Sequence, residues 1–337
     1  MDILDRLSNK KAIEDAAQKD AQSALIIDAE SLASSLKAKV IGQDKVCDDL
    51  AQQIRRRMAL LQRNRPVGVF LFAGPPGSGK TYLAKVLAAE LERKLLHHDM
   101  TQFAAGSYSS SQLFGITKGY VGSDTYGKLT GGLRDFPQGV VLLDEIEKAH
   151  PDLMKGFLTA WNDGFITEAS DGKQISTSRA IFILTSNAAT DTLAHLARDL
   201  ANDQDELRRA SLHALGESGF APEVLSRIDR IFVFKQLEGL DVARVCALEM
   251  EVMIQSYGLK VVGGGIDPQI IIQLMQRYRK LGAAASSRDL VRAMEESISD
   301  SLIKAKQQGF DAIELVIEND KVSAKVRKSD ADGSKSR

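Results

Sequence analysis

The stretch GPPGSGKT, residues 74–81, constrains the fold of this chain more than any other part of the sequence. It follows the apolar run VGVFLFA and precedes a segment with helical periodicity, which is the context that the pattern G-x-x-x-x-G-K-[ST] requires. Glycines in such a loop let backbone N–H groups surround phosphate oxygens, and the N-terminus of the next helix adds its positive dipole end. The sequence therefore predicts a phosphate-binding loop formed by Gly74, Pro75, Pro76, Gly77, Ser78, Gly79, Lys80 and Thr81.

The run GVVLLDE supplies the second half of a predicted nucleotide site. It delivers Asp144 and Glu145 at the carboxyl end of a buried strand, where α/β sheets place their ligands. In the loop pattern, Lys80 reaches the β- and γ-phosphates of ATP and the Thr81 hydroxyl holds Mg²⁺. Asp144 fits a further Mg²⁺ partner, and Glu145 fits a base that polarises the attacking water. The predicted cofactors are ATP and Mg²⁺.

Three more apolar runs, KLLHHD, RAIFILTSN and RIFVF, are continuous rather than alternating, which is typical of buried parallel strands. Residues after Phe234 show helical periodicity, followed by the alternating segments AIELVIEN and KVSAKVRK, which predict a β-hairpin. The predicted fold is α/β, with a central parallel sheet flanked by helices and a smaller, mostly helical C-terminal domain with a hairpin. Within that smaller domain, the GGG at 263–265 is expected to form a flexible joint.

Composition excludes several classes of protein. Lysine and arginine number 44 against 45 aspartates and glutamates, which argues against a chain that coats nucleic acid. Apolar runs stay well short of the roughly 20 residues that span a bilayer, and the start MDILDRLSNKK is too acidic for a signal peptide. The two cysteines fit a reducing compartment. We expect a cytoplasmic protein with neither a nucleic-acid nor a membrane partner.

Further motifs identify a family resemblance. VIGQD at 40–44, DMTQF at 99–103, KGYVG at 118–122 and FAPEVLSRIDRIFVF at 220–234 accompany the phosphate loop, LLDEIEKAHPD and ILTSN. Together they resemble the AAA+ ATPases, specifically the Clp unfoldases and disaggregases, and within those the second ATPase ring of ClpB-like proteins. The resemblance runs from about residue 36 to about residue 327 and implies a large nucleotide-binding domain at 36–236 and a small domain at 237–327. Helical periodicity over residues 2–25 predicts an N-terminal helical extension at 1–35, and polar composition predicts a disordered tail at 328–337.

The resemblance also implies roles for residues outside the phosphate loop. Asn187 matches the sensor-1 position opposite Glu145, and Arg227 matches the arginine finger that reaches a neighbouring subunit's nucleotide. Arg288 matches the sensor-2 arginine, although the turn before it is longer than the family pattern. The adenine-contacting segment corresponds to Val40, Ile41 and Gly42.

The family's pore loop corresponds to Gly119, Tyr120, Val121 and Gly122, and Tyr120 would grip an extended polypeptide through its ring face. The implied function is an ATP-driven unfoldase that assembles as a hexameric ring and threads polypeptide through its pore. We expect the N-terminal extension to be a possible docking site for an adaptor. The family's peptidase-binding tripeptide has no clear equivalent in the sequence, so we expect no peptidase partner.

Two alternatives remain open from the sequence. One is an ATP-gated assembly module that hydrolyses ATP slowly and threads nothing, and the longer turn before Arg288 favours it slightly. The other is a AAA+ motor that acts on nucleic acid, which predicts basic pore loops and a basic chain. The adjacent His97 and His98 are expected to pack structurally, because neighbouring strand residues point to opposite faces and cannot share a metal.

Overall fold

A computed structural model describes residues 27–60, 64–104, 106–120, 124–200, 203–281, 287–318 and 321–326. The helix predicted over residues 2–25 and the disordered tail predicted at 328–337 lie outside these ranges. Two compact units divide the chain. The first contains the residues up to Gly74 together with Gly79–Lys235, and the second contains Pro75–Ser78 together with the residues from Gln236 onward.

The first unit is built on a five-stranded sheet in the order β2-β3-β6-β1-β7, and every neighbouring pair is parallel. Its helices are α1 Ala29–Lys39, α2 Asp44–Met58, α3 Lys80–Glu90, α4 Gly106–Phe114, α5 Lys128–Asp135, α6 Pro151–Asn162, α7 Thr190–Asp199, α8 Gln204–Glu217 and α9 Pro222–Leu225. Its strands are β1 Gly68–Ala73, β2 Leu95–Asp99, β3 Val140–Asp144, β4 Phe165–Thr167, β5 Gln174–Ser176, β6 Ile181–Ser186 and β7 Arg230–Val233. The predicted parallel sheet flanked by helices is confirmed.

The central strands are apolar throughout because both faces of the sheet are covered. Alternate residues of β1 point to opposite sides, so Leu71 joins one buried cluster while Phe70 and Phe72 join the other. Strands β1 and β6 are buried along their whole lengths. Continuous apolar runs are the sequence signature of strands in this situation.

Helix α1 packs into the second of these clusters through Leu32 and Leu36. Residues 29–35 therefore share one helix and one core with the residues that follow. The boundary that we predicted at residue 36 falls inside this helix, because the apolar spacing of α1 continues across that position.

One element of the first unit has no counterpart in the sequence prediction. Strands β4 and β5 pair antiparallel as a short hairpin between α6 and β6. Each strand has three residues, which is too short for a clear alternating pattern. This hairpin approaches the loop that carries Tyr120, as described below.

Among its described residues, the second unit has three helices and a three-stranded sheet in the order β10-β9-β8. The elements are α10 Leu240–Ser256, β8 Lys260–Ile266, α11 Pro268–Leu281, α12 Ser287–Gln307, β9 Ala312–Glu318 and β10 Lys321–Val326. The predicted hairpin is β9 paired antiparallel with β10, and β8 adds a parallel strand beside β9. The core of this unit includes Cys246, Met250, Ile270, Ile298 and Leu302.

The prediction of a flexible joint at residues 263–265 is wrong, because these glycines lie inside strand β8. The pairing of β8 with β9 shifts register between Val261 and Ile266, and Gly264 has a φ of +72°. The glycines therefore accommodate an irregularity within a strand, since only glycine adopts such a backbone angle readily. Within the described ranges, no helix is both long enough and apolar enough to cross a membrane.

Candidate nucleotide site

The carboxyl ends of three strands meet at one edge of the central sheet. Parallel pairing sets Ala73 of β1 opposite Ser186 of β6, and Leu143 of β3 opposite Leu184 of β6. Residues that follow these strands are thereby brought together at the edge where open α/β sheets bind ligands. The predicted phosphate loop and Asn187 each follow one of these strands, and Asp144 is the last residue of β3.

The phosphate loop has backbone angles that favour glycine at three positions. Gly74, Gly77 and Gly79 have φ values of +152°, +73° and +96°. A Cβ atom at Gly74 would also lie 2.6 Å from the carbonyl oxygen of Phe234, so only glycine fits there. Helix α3 begins at Lys80 immediately after Gly79. Its free N–H groups and its dipole suit an anion at this point.

Lys80 is buried, with 7% of its surface exposed, and lies at the centre of the site. Its ammonium group donates to the carbonyl oxygen of Gly74 at 2.7 Å and to Oδ1 of Asn187 at 2.9 Å. Burial lowers the pKa of Lys80 to about 8, although Glu147, Asp144 and Glu145 oppose this change by stabilising the charge. A bound phosphate group would add further negative charge beside this ammonium group.

Hydroxyl and carboxylate oxygens suited to Mg²⁺ converge next to Lys80. The Thr81 hydroxyl donates to Oδ1 of Asp144 at 2.9 Å, so the two predicted ligands are in direct contact. Magnesium prefers oxygen ligands and is commonly held by one or two protein groups together with phosphates and water. The residues present therefore fit this ion. Across the residues with defined positions, no cluster of three or more His, Cys, Asp or Glu side chains offers an alternative metal site.

Glu145 and Asn187 are neighbours, as the predicted roles require. The Asn187 amide donates from Nδ2 to Oε1 of Glu145 at 3.4 Å. Glu145 adopts the left-handed backbone conformation, with φ +56° and ψ +53°, which is uncommon for residues other than glycine. Such a conformation directs the side chain away from the path of strand β3. We infer that the local fold holds Glu145 in this orientation.

Sequence reasoning missed Thr185, which connects the two acidic residues. Its hydroxyl donates to Oδ1 of Asp144 and accepts the backbone N–H of Glu145 at 3.0 Å. Thr185 is buried near the end of β6. The available signal was the pair of polar residues, Thr185 and Ser186, that ends the run IFILTS, but only the pairing of β3 with β6 identifies the partners of Thr185.

Two further contacts were missed. Oε1 of Glu147 accepts the backbone N–H of Asn187 at 3.1 Å, which ties the turn after β3 to the end of β6. Nε2 of His97 lies 3.1 Å from Oδ2 of Asp144, so the expectation that His97 serves only for packing is wrong. His98 points to the other face, where burial lowers its pKa to about 4.

The segment predicted to contact adenine lies beside the phosphate loop. Val40 is buried, and its Cγ1 lies 3.8 Å from the place that a Cβ on Gly79 would occupy. Gly42 has a φ of +78°, and the side chain of Gln43 after it donates to the carbonyl oxygen of Lys235 at 2.8 Å. Ile41 lies between these two anchored positions.

Arg227 precedes two residues whose carbonyl groups are hydrogen-bonded, but its own guanidinium has no partner within the described part of the chain. Its Nε is buried without a hydrogen-bond partner. The following carbonyl groups, those of Ile228 and Asp229, accept from Arg208 at 3.0 and 2.6 Å.

The remaining predicted residues are only partly described. Tyr120 is 72% exposed on the loop after α4, and Gly119 before it has a φ of +99°. Val121 and Gly122 lie outside the described residues. Arg288 belongs to helix α12 of the second unit, and neither its side chain nor the turn at 282–286 is described.

Comparison with known proteins gives a consistent assignment. A family model described as AAA domain (Cdc48 subfamily) matches residues 65–231. The ATP-dependent Clp protease ATP-binding subunit ClpE of Lactococcus lactis subsp. lactis (strain IL1403) is 36% identical over 278 residues, which is 81% of this chain and 36% of ClpE. The chaperone protein ClpB of Rhodopirellula baltica is 33% identical over 276 residues, which is 80% of this chain and 30% of ClpB. This chain spans about a third of the length of these relatives.

A solved structure supports the same assignment. The closed state of Hsp104 with ATPγS and FITC casein matches 88% of this chain and 51% of that chain, with a TM-score of 0.70 and 26% sequence identity. The identities to ClpE and to ClpB differ by only a few per cent, so they support the Clp type as a whole. From its fold, its strand-end residues and these relatives, the chain belongs to the Clp-type AAA+ ATPases.

Proposed function

We propose that this chain is an ATP-driven protein-remodelling motor that threads polypeptide through the pore of a ring. The observation that carries the proposal is that one unit holds both a set of side chains suited to ATP hydrolysis and Tyr120, an aromatic residue 72% exposed on a separate loop. A hydrolytic site alone would need no such residue. The casein named in the matched Hsp104 structure favours a polypeptide as the substrate.

In the proposed reaction, Lys80 neutralises charge on the β- and γ-phosphates of ATP while Glu145 accepts a proton from the attacking water. Asn187 is close enough to Glu145 to orient the same water from the other side. Thr81 and Asp144 would hold Mg²⁺, which when bound neutralises charge on the phosphate oxygens. Thr185 fixes the carboxylate of Asp144 and the backbone of Glu145 relative to each other.

We further propose that the active site is completed between subunits. Arg227 is anchored through its neighbours but has no partner for its side chain among the residues whose positions are described, and a neighbouring subunit's nucleotide would provide one. An arginine supplied across an interface stabilises charge that develops on the transferred phosphoryl group. Ring assembly, with six subunits as the family suggests, is then part of the mechanism.

Other parts of the prediction stay proposals. Val40, Ile41 and Gly42 are proposed to contact adenine, and Arg288 is proposed to act as sensor 2. An adaptor on the N-terminal extension, the cytoplasmic location and the lack of a peptidase partner also stay predictions. The name of ClpE refers to a Clp protease whereas ClpB is named a chaperone, so relatives of both kinds exist.

The variant Glu145→Gln is expected to bind ATP and to hydrolyse it about 10²–10⁴-fold more slowly, because an amide keeps the shape but cannot accept the proton. ATP binding and turnover are measured separately. Glu217→Gln, an exposed glutamate of helix α8, serves as the matched control. Hydrolysis by Glu145→Gln near the wild-type rate would remove Glu145 from the role of base.

The variant Thr185→Val is expected to reduce ATP turnover about 10–100-fold, because it removes the hydroxyl that orients a metal-binding carboxylate while keeping the side-chain volume. The Mg²⁺ concentration that gives half-maximal turnover should rise as well. Thr185→Ser retains a hydroxyl and should restore most of the activity. Equal activity of the valine and serine variants would show that the hydroxyl has no such role.

The variant Arg227→Ala is expected to bind ATP but to hydrolyse it about 10³-fold more slowly or worse. Mixing it with Lys80→Ala subunits should restore turnover, because some interfaces then combine an intact Lys80 with an intact Arg227. Turnover is compared before and after mixing, and mixed rings are verified by mass. No recovery in verified mixed rings would mean that Arg227 acts within its own subunit.

The variant Tyr120→Ala is expected to lower the number of substrate molecules unfolded per ATP hydrolysed at least about 10-fold, because all subunits of a ring lose the contact together. Tyr120→Phe should behave as wild type, since the ring face makes the contact. Phe136→Ala, another exposed aromatic of the same unit, is the control. The measurement pairs the ATPase rate with unfolding of a tagged fluorescent protein. Unfolding by Tyr120→Ala at the wild-type rate would contradict the role of Tyr120 in gripping the polypeptide.

A further inference from the structure

The loop that carries Tyr120 is closed at its base by two glycines. A Cβ atom at Gly127 would lie 2.3 Å from the carbonyl oxygen of Leu113 and 2.4 Å from the backbone nitrogen of Gly115. The chain therefore leaves helix α4 and returns to helix α5 through the same point. We name this point, formed by Leu113, Gly115 and Gly127, the loop neck.

A fully buried carboxylate, that of Glu168, occupies the loop neck. Glu168 has 0% exposure, and its Oε2 accepts the backbone N–H of Gly127 at 3.1 Å and the hydroxyl of Thr130. A Cβ atom at Gly115 would lie 1.6 Å from Oε1 of Glu168, and Gly115 has a φ of +92°. Both ends of the loop are therefore fitted around one side chain.

Glu168 belongs to the β4–β5 hairpin, which makes two further contacts with the loop. The hydroxyl of Tyr126, just before the neck, donates to Oδ2 of Asp171 at 2.5 Å, and this hydrogen bond lowers the pKa of Asp171 to about 2. The backbone N–H of Ala169 donates to the carbonyl oxygen of Phe114 at 2.8 Å. The hairpin thus contacts the chain on both sides of the neck.

The chemistry of Glu168 differs from that expected of a packing residue. A buried carboxylate is costly unless several donors satisfy it, and an apolar side chain of similar size fills space with less penalty. Here the hydrogen-bond donors to Glu168 come from two separate segments. Gly127 and Thr130 lie beside the loop. Ser170 lies within the hairpin, and its backbone N–H donates to Oε1 of Glu168 at 3.0 Å. The carboxylate of Glu168 therefore connects the Tyr120 loop, through hydrogen bonds, to the hairpin that precedes strand β6.

We propose that Glu168 is a positioning residue that holds the neck of the Tyr120 loop against the β4–β5 hairpin. The purpose of holding the loop neck rests on the proposed function: it would present Tyr120 to a polypeptide substrate in a fixed place. A loop that has closed ends loses less conformational freedom when its exposed residue binds. Removal of the carboxylate should release the loop while the sheet and the nucleotide site stay folded.

The test uses Glu168→Gln in the full chain. The amide keeps the size of the side chain but turns an NH₂ group towards groups that are themselves donors. Trypsin cleavage after the exposed Lys118 is expected to become about 10-fold faster or more, because hydrogen bonds to charged groups hold the loop ends. A spin label on Tyr120→Cys should gain mobility. The native Cys47 and Cys246 are fully buried and should not react with the label.

Two controls accompany these measurements. Glu217→Gln should leave both the cleavage rate and the label mobility at their wild-type values. Thr130→Val removes one donor to Glu168 without changing volume, so it should shift both readouts in the same direction by a smaller amount. If Glu168→Gln does not fold, the cleavage rate and label mobility of Thr130→Val are used instead, and unchanged values would contradict the proposal.

The outcomes separate the positioning role from the proposed function. Unchanged cleavage and mobility would overturn the role of Glu168, even with a lowered melting temperature, since that result would indicate packing only. A released loop in Glu168→Gln together with normal unfolding by Tyr120→Ala would support the positioning role and contradict the role of Tyr120 in gripping the polypeptide. An unaltered loop in Glu168→Gln together with lost unfolding by Tyr120→Ala would contradict the positioning role of Glu168 and support the role of Tyr120.

Discussion

The in-register parallel pairing of β3, β6 and β1 is the constraint on which the rest of the structure depends. It fixes three strand ends at one edge, so that Gly74, Asp144 and Asn187 emerge side by side. Backbone hydrogen bonds set this register, and burial of both faces of the sheet prevents it from slipping, because a shift of one residue would reverse every side chain. The nucleotide site is thus a direct consequence of how the sheet is paired.

Two charged side chains of the first unit, Lys80 and Glu168, are buried next to groups that compensate their charges. Lys80 is surrounded by the carboxylates of Asp144, Glu145 and Glu147, which partly offset the cost of its burial. Glu168 is instead compensated by backbone N–H groups and a hydroxyl at the base of the Tyr120 loop. Lys80 thus lies in the candidate nucleotide site and Glu168 lies at the base of the Tyr120 loop, and each contacts two segments of the chain.

The candidate site was predictable where a short motif carries the chemistry and was not predictable where distant residues meet. The phosphate loop, Asp144 and Glu145 follow from local patterns, and Asn187 followed from a resemblance. The contacts made by Thr185, His97 and Glu147 depend on which strands are neighbours. No local pattern reveals that a threonine of β6 will touch the last residue of β3, because the two positions are 41 residues apart.

The sequence by itself determined the strands of the main sheet, the helical character of the second unit and the hairpin of β9 and β10. Period and apolar content encode these elements locally. Tertiary structure alone decided the strand order, the β4–β5 hairpin, the strand at residues 260–266 and the neck around Glu168. Those features depend on packing and hydrogen bonds between residues that are far apart in the chain. A carboxylate can replace water at Gly127 and Thr130 only after the fold has brought them together.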